Sequence, residues 1–499
     1  MSFYFTKLYL LYALSHFGVF FLIDAIYWDD WAYHGAKAES ILDAGKQSGG
    51  FFNFFGYILV CLQYFGPWIS KVLTFFLMFG AGFALDQIIK KYKSINDETR
   101  FVIVLFFLIL PFYWSRIAQI MFVYTFCYFL FFLAWAINER SRFISMFLFF
   151  ISFNTNSLLI FFLIPYFDIY FRNNSQFYSI KSIIKFSLYR FELTLLPFTY
   201  FGLKIYFFSP YDSYEGYNEQ YNISVLYQNF QLMFNEWYDW YTWYIPNHDI
   251  MIYFYISICI CLFYIYIFER DLVQKVGFRD NLISIILIGI LIFIIAGIPY
   301  LILDKIPRFN DWYSRHQILL PLGASIVILA FISLLPKQLK SLAIVSVIAF
   351  STINNLSIYK ELYIDWQKQK VIMNLIANND DIKKSDILIF EDLTRPLNAM
   401  NRGYRKYEWN GLVATALGDE TRFSVNKFQF PLFLKSPSFK LTYKNRDKFK
   451  ASNFKIKKVH IPIHVKITNI SKGPINFLRE FAGIKLSLKV TKLPPFSFN

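Results

Sequence analysis

Blocks of roughly twenty apolar residues recur from near residue 6 to residue 356, each bounded by charged or turn residues. About 30 Å of hydrocarbon needs about 20 helical residues to cross it, so such blocks predict membrane spans. Eleven are expected, near 6–27, 68–90, 101–113, 119–137, 142–153, 156–171, 184–207, 250–268, 281–302, 316–335 and 340–356. Composition agrees: of 499 residues 56% are hydrophobic, 22% aromatic and only 17% charged. A soluble domain carries about 25% charged residues, so a soluble globular protein, a disordered chain and a coiled coil are excluded. The four cysteines (Cys61, Cys127, Cys259, Cys261) sit in apolar runs and show no metal-ligand spacing or disulfide framework. Lys7 precedes about twenty apolar residues with no small-x-small cleavage site, which predicts an uncleaved first span.

The apolar segment 51–66 ends in Gly66-Pro67-Trp68 and predicts an interfacial helix. With that choice, and the N-terminus inside, the inner loops carry Lys90, Lys91, Lys93, then Arg140 and Arg142, then Arg172, Lys181 and Lys185, then Arg270, Lys275 and Arg279, then Lys337 and Lys340. This is the expected positive-inside bias. The outer side then comprises 28–67, the turns 112–118 and 154–157, the loops 208–249 and 303–315, and the tail from about 357. Residues 357–499 hold 26 Lys and Arg against 12 Asp and Glu, a surplus of 14 within a chain of net charge +16. Long domains translocate largely regardless of charge. The tail has helical spacing at 361–376 and alternating segments at 386–391, 438–443, 455–466 and 484–491, which predict a small α+β domain.

Candidate chemistry gathers on the outer side. Asp29 and Asp30 stand at the end of the first span, where desolvation and mutual repulsion raise carboxylate pKa values and suit a general base or a metal ligand. In a helix over 30–44, Asp30 and His34 share a face. The competing reading makes Asp30 a helix cap amid an aromatic belt of Tyr27, Trp28 and Trp31. Cations collect nearby: Arg116, Lys204, Arg308 and Arg315, with Asp311 and His316 in the same loop as the last two. Arginine forks bind phosphate oxygens, whereas snorkelling or Asp–Arg pairing is the bland alternative. Asn154 and Asn156 lie in an outer turn able to line the same pocket. A divalent metal held by Asp30, His34 and His248 is a candidate arrangement without tight ligand spacing.

The aromatic loop 208–249 predicts an amphipathic helix through the pairs Glu236–Trp240 and Trp237–Tyr241. The basic run 444–458, outside the cytosol, points to anionic lipid or phosphorylated glycolipid rather than nucleic acid. Mid-span positions are almost free of ionisable groups, and Asp86, Arg190, Glu192 and Asp280 lie near inner ends. A transporter usually has charges near the midplane. Chemistry at the outer interface fits better.

This arrangement resembles the GT-C superfamily of polytopic membrane glycosyltransferases. The resemblance rests on the acidic pair Asp29-Asp30 after the first span, the helix 51–66 before the second, short spans with minimal loops, a late outer loop with Arg308, Arg315 and His316, and a terminal soluble domain. It implies a polytopic α-helical membrane protein of about eleven transmembrane helices, with a transmembrane GT-C-like domain at 1–356 and a basic extracytoplasmic α+β domain at 357–499. It also implies a multi-pass protein of the cytoplasmic membrane that inverts a sugar taken from a polyprenyl-phosphate donor onto a glycolipid or surface-glycan acceptor. Asp29 or Asp30 would be the base, and Arg308, Arg315 and Arg116 would hold the leaving phosphate. A polyprenyl-diphosphate glycan polymerase or ligase, and a lipid-linked glycan transporter, are the alternatives.

Overall fold

A computed structural model describes residues 2–173, 180–216, 223–247, 276–278, 282–431, 462–469 and 485–493. The chain opens with α1 (Ser2–His16), which tightens into a 3₁₀ turn over Phe17–Leu22. The outer segment carries α2 (Asp30–Tyr33), α3 (Ala38–Gln47) and α4 (Phe54–Phe65). Next come α5 (Pro67–Ile89), α6 (Asp97–Ile109), α7 (Phe122–Ile137), α8 (Arg142–Ser152), α9 (Ser157–Phe161), α10 (Leu163–Asn173), α11 (Ile180–Tyr189) and α12 (Phe191–Phe207). Then follow α13 (Leu226–Asn247), α14 (Leu282–Leu301), α15 (Leu320–Ser333) and α16 (Lys337–Ala377). The rest alternates: α17 (Asp380–Lys384), β1 (Ile387–Asp392), α18 (Lys406–Leu417), β2 (Phe423–Asn426), β3 (Pro462–Asn469) and β4 (Leu486–Lys492).

Among the described residues, five helical segments are long and apolar enough to cross a bilayer, at Tyr4–Leu22, Pro67–Ile89, Gln119–Ile137, Leu282–Leu301 and within Leu339–Ala377. The bent pair Asp311–Gln317 and Leu320–Ser333 makes a sixth if it is one broken span. The other expected spans inside the described residues are helical but shorter. The span expected at 156–171 breaks at Phe162, and that at 184–207 breaks at Arg190, whose φ of −112° and ψ of 47° leave the helical region. Residues 250–268 lie outside the described residues.

Helix α6 shows how a short apolar helix can end inside the bundle. Its 13 residues reach only about 20 Å. Phe101 through Ile109 are all buried, and α1, α5, α15 and α16 pack around them. Its N-terminus is capped by the Asn96 side chain, which accepts from the Thr99 amide at 2.8 Å. Its last carbonyls are the orphans of a helix end, buried within the protein. His16 Nε2 lies 3.1 Å from the Leu108 oxygen, and the Asn355 amide donates to the Ile109 oxygen at 2.8 Å. These side chains let the chain leave the helix inside the bundle.

The loops sort into two ends. At one end Thr99 bonds Gly277, and Lys91 meets Glu139 at 3.3 Å. At the other, Phe51 bonds Asn154, Trp114 bonds Phe309, and Tyr211 bonds Gln47. Each of these contacts joins residues that the charge bias puts in loops of one side; which side is which is a matter of the sequence alone.

Helix α16 is continuous for 41 residues and passes through the expected boundary at 357 without a break. Its first part packs on α1 and α6, its last part on α18. The four-stranded sheet has the order β2-β1-β3-β4, with β1 parallel to β2 and β3, and β3 antiparallel to β4. Three of the expected strands appear, as β1, β3 and β4; 438–443 falls outside the described residues. The sequence reading missed β2 and α18. One sheet face packs into the helical core, with Phe390 stacked on Trp409 at 4.2 Å.

Candidate functional site

The acidic segment is held from three directions. On α5, Lys71, one turn in from the start of the helix, is buried and donates to the Ala25 carbonyl at 2.6 Å. Beside it, Tyr27 donates to the Leu362 carbonyl at 2.8 Å, and the Trp31 indole donates to Gln369 at 2.9 Å, fixing it to α16. Above it, α18 approaches so closely that a Cβ on Gly411 would lie 2.7 Å from the Trp31 ring. Only glycine fits there.

The Asp30 carboxylate turns toward the loop before α7. It accepts from the backbone amides of Gln119 and Ile120, one on each oxygen, both at 2.8 Å. It therefore does not cap α2, whose N-cap is Asp29 without a side-chain cap bond. Burial raises the Asp30 pKa from the ordinary value to about 6, while Lys71 and the two amides pull the other way. Asp29 is buried beside it.

The expected helix over 30–44 does not form. One turn ends at Tyr33, His34 is extended at φ −59° and ψ 118°, and the helix restarts at Ala38. Gly35, at φ +71°, makes the bend. Asp30 and His34 nonetheless line the same pocket, of about 210 Å³, with Tyr33, Leu59, Gln63 and Pro67. The Gln63 side chain donates to the Ala36 carbonyl at 2.8 Å, tying α4 to the bend.

A second cluster adjoins the first through Trp28. Trp28, at φ 50°, stacks on Trp312 with ring centroids 5.5 Å apart and planes 10° apart. The Arg315 guanidinium lies 4.6 Å from the Trp28 ring centre, and its Nε donates to His316 at 3.0 Å. Arg402 lies 5.4 Å from the Trp312 ring and forks onto Glu408 at 2.8 and 2.6 Å. Asp311, at φ 47°, pairs with Arg405 at 2.8 Å. Arg308 pairs with Glu236 at 3.3 Å and lies over Tyr313. Left-handed backbone at bulky or charged residues costs about 1–3 kcal/mol each and concentrates at functional sites. The buried indole N–H groups of Trp28 and Trp312 have no acceptor among the described residues. An unmet buried donor costs about 1–3 kcal/mol.

The remaining candidates divide. Lys204 donates to Asn156 at 2.7 Å; the neighbouring Ser157 accepts from Tyr300, whose ring lies 5.3 Å from that of His316. These residues extend the second cluster. Asn154 instead accepts from the Phe51 amide at 3.1 Å and holds the turn before α4, where Phe52 and Asn53 have positive φ. The Arg116 guanidinium points into the bundle, 2.8 Å from His16 Nδ1 and 3.4 Å from the Tyr359 hydroxyl. It supports the polar plug at the end of α6 rather than facing the acidic pair.

Among the described residues no group of three His, Cys, Asp or Glu side chains is placed to hold a metal, and His248 lies outside them. Sequence reasoning missed Lys71, the Trp28–Trp312 stack and the arginines of the C-terminal layer. Lys71 was findable, because an ionisable residue one turn inside an apolar span is a functional candidate in itself. The stack was not, because its rings lie far apart in the chain. No protein-family model matches this chain, and no curated protein or solved structure does either.

Proposed function

We propose that this chain is a membrane glycosyltransferase of the GT-C type, moving a sugar from a polyprenyl-phosphate donor to a glycolipid or surface-glycan acceptor with inversion. The observation that carries the reading is Asp30. Its carboxylate is fixed by two backbone amides, lines a pocket at one end of the helical bundle, and has a pKa of about 6. A general base works best with a pKa near the operating pH, and each amide-bonded oxygen keeps a second lone pair.

In this reaction an acceptor hydroxyl enters the pocket and gives its proton to Asp30. The hydroxyl oxygen forms a bond to the anomeric carbon as the bond from that carbon to the phosphate oxygen breaks. The bonding pair leaves with the lipid phosphate. Arg315 and Arg308 meet the developing charge, and the Trp28 and Trp312 N–H groups supply further donors. A preorganised donor of this kind is worth about 3–4 kcal/mol in the transition state. Lys71 and the aromatic stack position the acidic segment. The loop charge bias supports a cytoplasmic-membrane protein of about eleven spans, with the site and the α+β domain at 357–499 outside.

The same amide clamp favours a second reading, in which Asp30 is a structural brace and an arginine-based glycan polymerase or ligase does the chemistry. Mass spectrometry of glycolipids and surface glycans from a deletion strain, complemented with wild type, Asp29→Asn or Asp30→Asn at matched protein levels, separates the two. Loss of one sugar unit that Asp30→Asn cannot restore supports transfer with Asp30 as base. Full restoration by both variants leaves the brace.

A further inference from the structure

An apolar groove of about 440 Å³ lies against α4 and the start of α5, lined by Tyr57, Ile58, Cys61, Leu62, Phe65 and Phe122 among others. The Asp30 pocket lies on the adjacent face of the same helix. Ile58 and Leu62 face the groove while Leu59 and Gln63, one position on, face the pocket. One residue along an α-helix is a rotation of about 100°, so the two hollows share a wall one helix thick. They meet again at the start of α7, where Ile120, just before the helix, lines the pocket and Phe122, its first residue, the groove. Helix α4 has only 12 residues and exposes Tyr57, Tyr64 and Phe65. An apolar hollow and an apolar exposed face suit contact with hydrocarbon.

We infer that this groove receives the hydrocarbon chain of a lipid-anchored acceptor whose hydroxyl-bearing head enters the Asp30 pocket. The inference rests on the transfer reading and names its acceptor class. Three observations select this occupant. The pocket, at about 210 Å³, is smaller than the roughly 300–1,000 Å³ of ordinary small-molecule sites, so it holds one small polar head. The groove begins beside that head and offers only apolar surface. Arg308 and Arg315, which would meet a phosphate, line neither hollow, so a phosphate-linked donor chain has no reason to start there.

The test uses Cys61, which is exposed in the groove, as its reporter. The full chain, with Cys259 and Cys261 changed to Ala, is purified in dodecyl maltoside and treated with N-cyclohexylmaleimide. Added monoglucosyl dioleoylglycerol is expected to slow Cys61 modification at least fivefold, and polyprenyl phosphate or dioleoylphosphatidylcholine less than twofold. Protection by polyprenyl phosphate alone assigns the groove to the donor and overturns the inference. Equal protection by all three lipids, or by none, overturns it as well. Where transfer is measurable, Cys61→Trp should raise KM for the lipid acceptor about tenfold with kcat and donor KM within twofold. Unchanged acceptor KM overturns the inference. The protection assay needs no turnover: protection without any transfer in the wild type refutes the enzymatic reading and leaves an acceptor-type lipid site.

Discussion

The two ends of the bundle differ in what meets their buried charges. At one end carboxylates and cations neutralise each other. Asp86 takes bonds from Arg100 at 2.8 Å and from Tyr4 at 2.9 Å, Arg100 also reaches Asp97, Arg172 joins Asp168 and Glu139, and Arg190 joins Glu192. At the other end Arg308, Asp311 and Arg402 are also paired, with Glu236, Arg405 and Glu408, but Asp30 is held by uncharged amides, Lys71 by a carbonyl, and Arg315 by an indole face and a histidine. Charges that cancel within the chain hold loops together. Asp30 and Arg315 instead have neutral groups as their hydrogen-bond partners, which sets them apart from the paired charges around them.

The sharpest way to break this contrast is to neutralise Asp30. Asp30→Asn should lower transfer about 10³-fold, within the range for a lost general base, while membrane abundance stays near wild type. The mirror experiment is Asp86→Leu, which leaves Arg100 buried with only Asp97. It should destabilise the protein by about 3 kcal/mol, read as a lower Tm, and leave kcat of the surviving protein unchanged. If Asp86→Leu silences transfer and Asp30→Asn only destabilises, the assignment of the two ends is reversed.

Arg315→Ala should cost about 10²-fold in kcat, the loss expected for one preorganised donor, with little change in Tm. Acidity offers a subtler probe. A base with a pKa of about 6 loses activity tenfold per pH unit below that value. The folded carboxyl binds its proton more tightly than the unfolded one, so its contribution to stability is full below pH 4 and is lost as pH rises through 6. Activity and Tm should therefore move in opposite directions between pH 4 and 6, and Asp30→Asn should abolish the activity limb. The smallest effect belongs to the half-exposed pair Lys91–Glu139, where Glu139→Gln should shift stability by less than about 1 kcal/mol.

The positions of the helices were legible because the apolar blocks and their charged borders are local signals. The acidic pair was legible as a candidate by its place at the end of the first span, but its burial and the amide clamp on Asp30 were not, because the clamp comes from residues 119 and 120. The break at Arg190 carries no proline or glycine; the buried Arg190 side chain bonds Asn138 and Glu192 there, partners that local sequence does not announce. The break after Tyr33 was legible in principle, because Gly35 supplies the positive φ. Helix α6 scored as a span on its apolar run, but its length fits only because His16 and Asn355 satisfy its end from helices distant in sequence. Arg116 looked like a phosphate ligand by its place in an outer turn, and it serves that same end instead. Side chains that repair broken backbone and side chains that await a ligand share a composition, and only geometry tells them apart.

Helix α16 has a mechanical consequence. Its 41 residues make a rod about 60 Å long, anchored at one end among α1 and α6 and at the other against α18. Tyr27 and Trp31 are bonded to Leu362 and Gln369 of this rod, and α18 packs on the same stretch. Both sides of the Trp31–Gly411 contact therefore travel with one helix, and the acidic segment and the C-terminal layer move as a single piece.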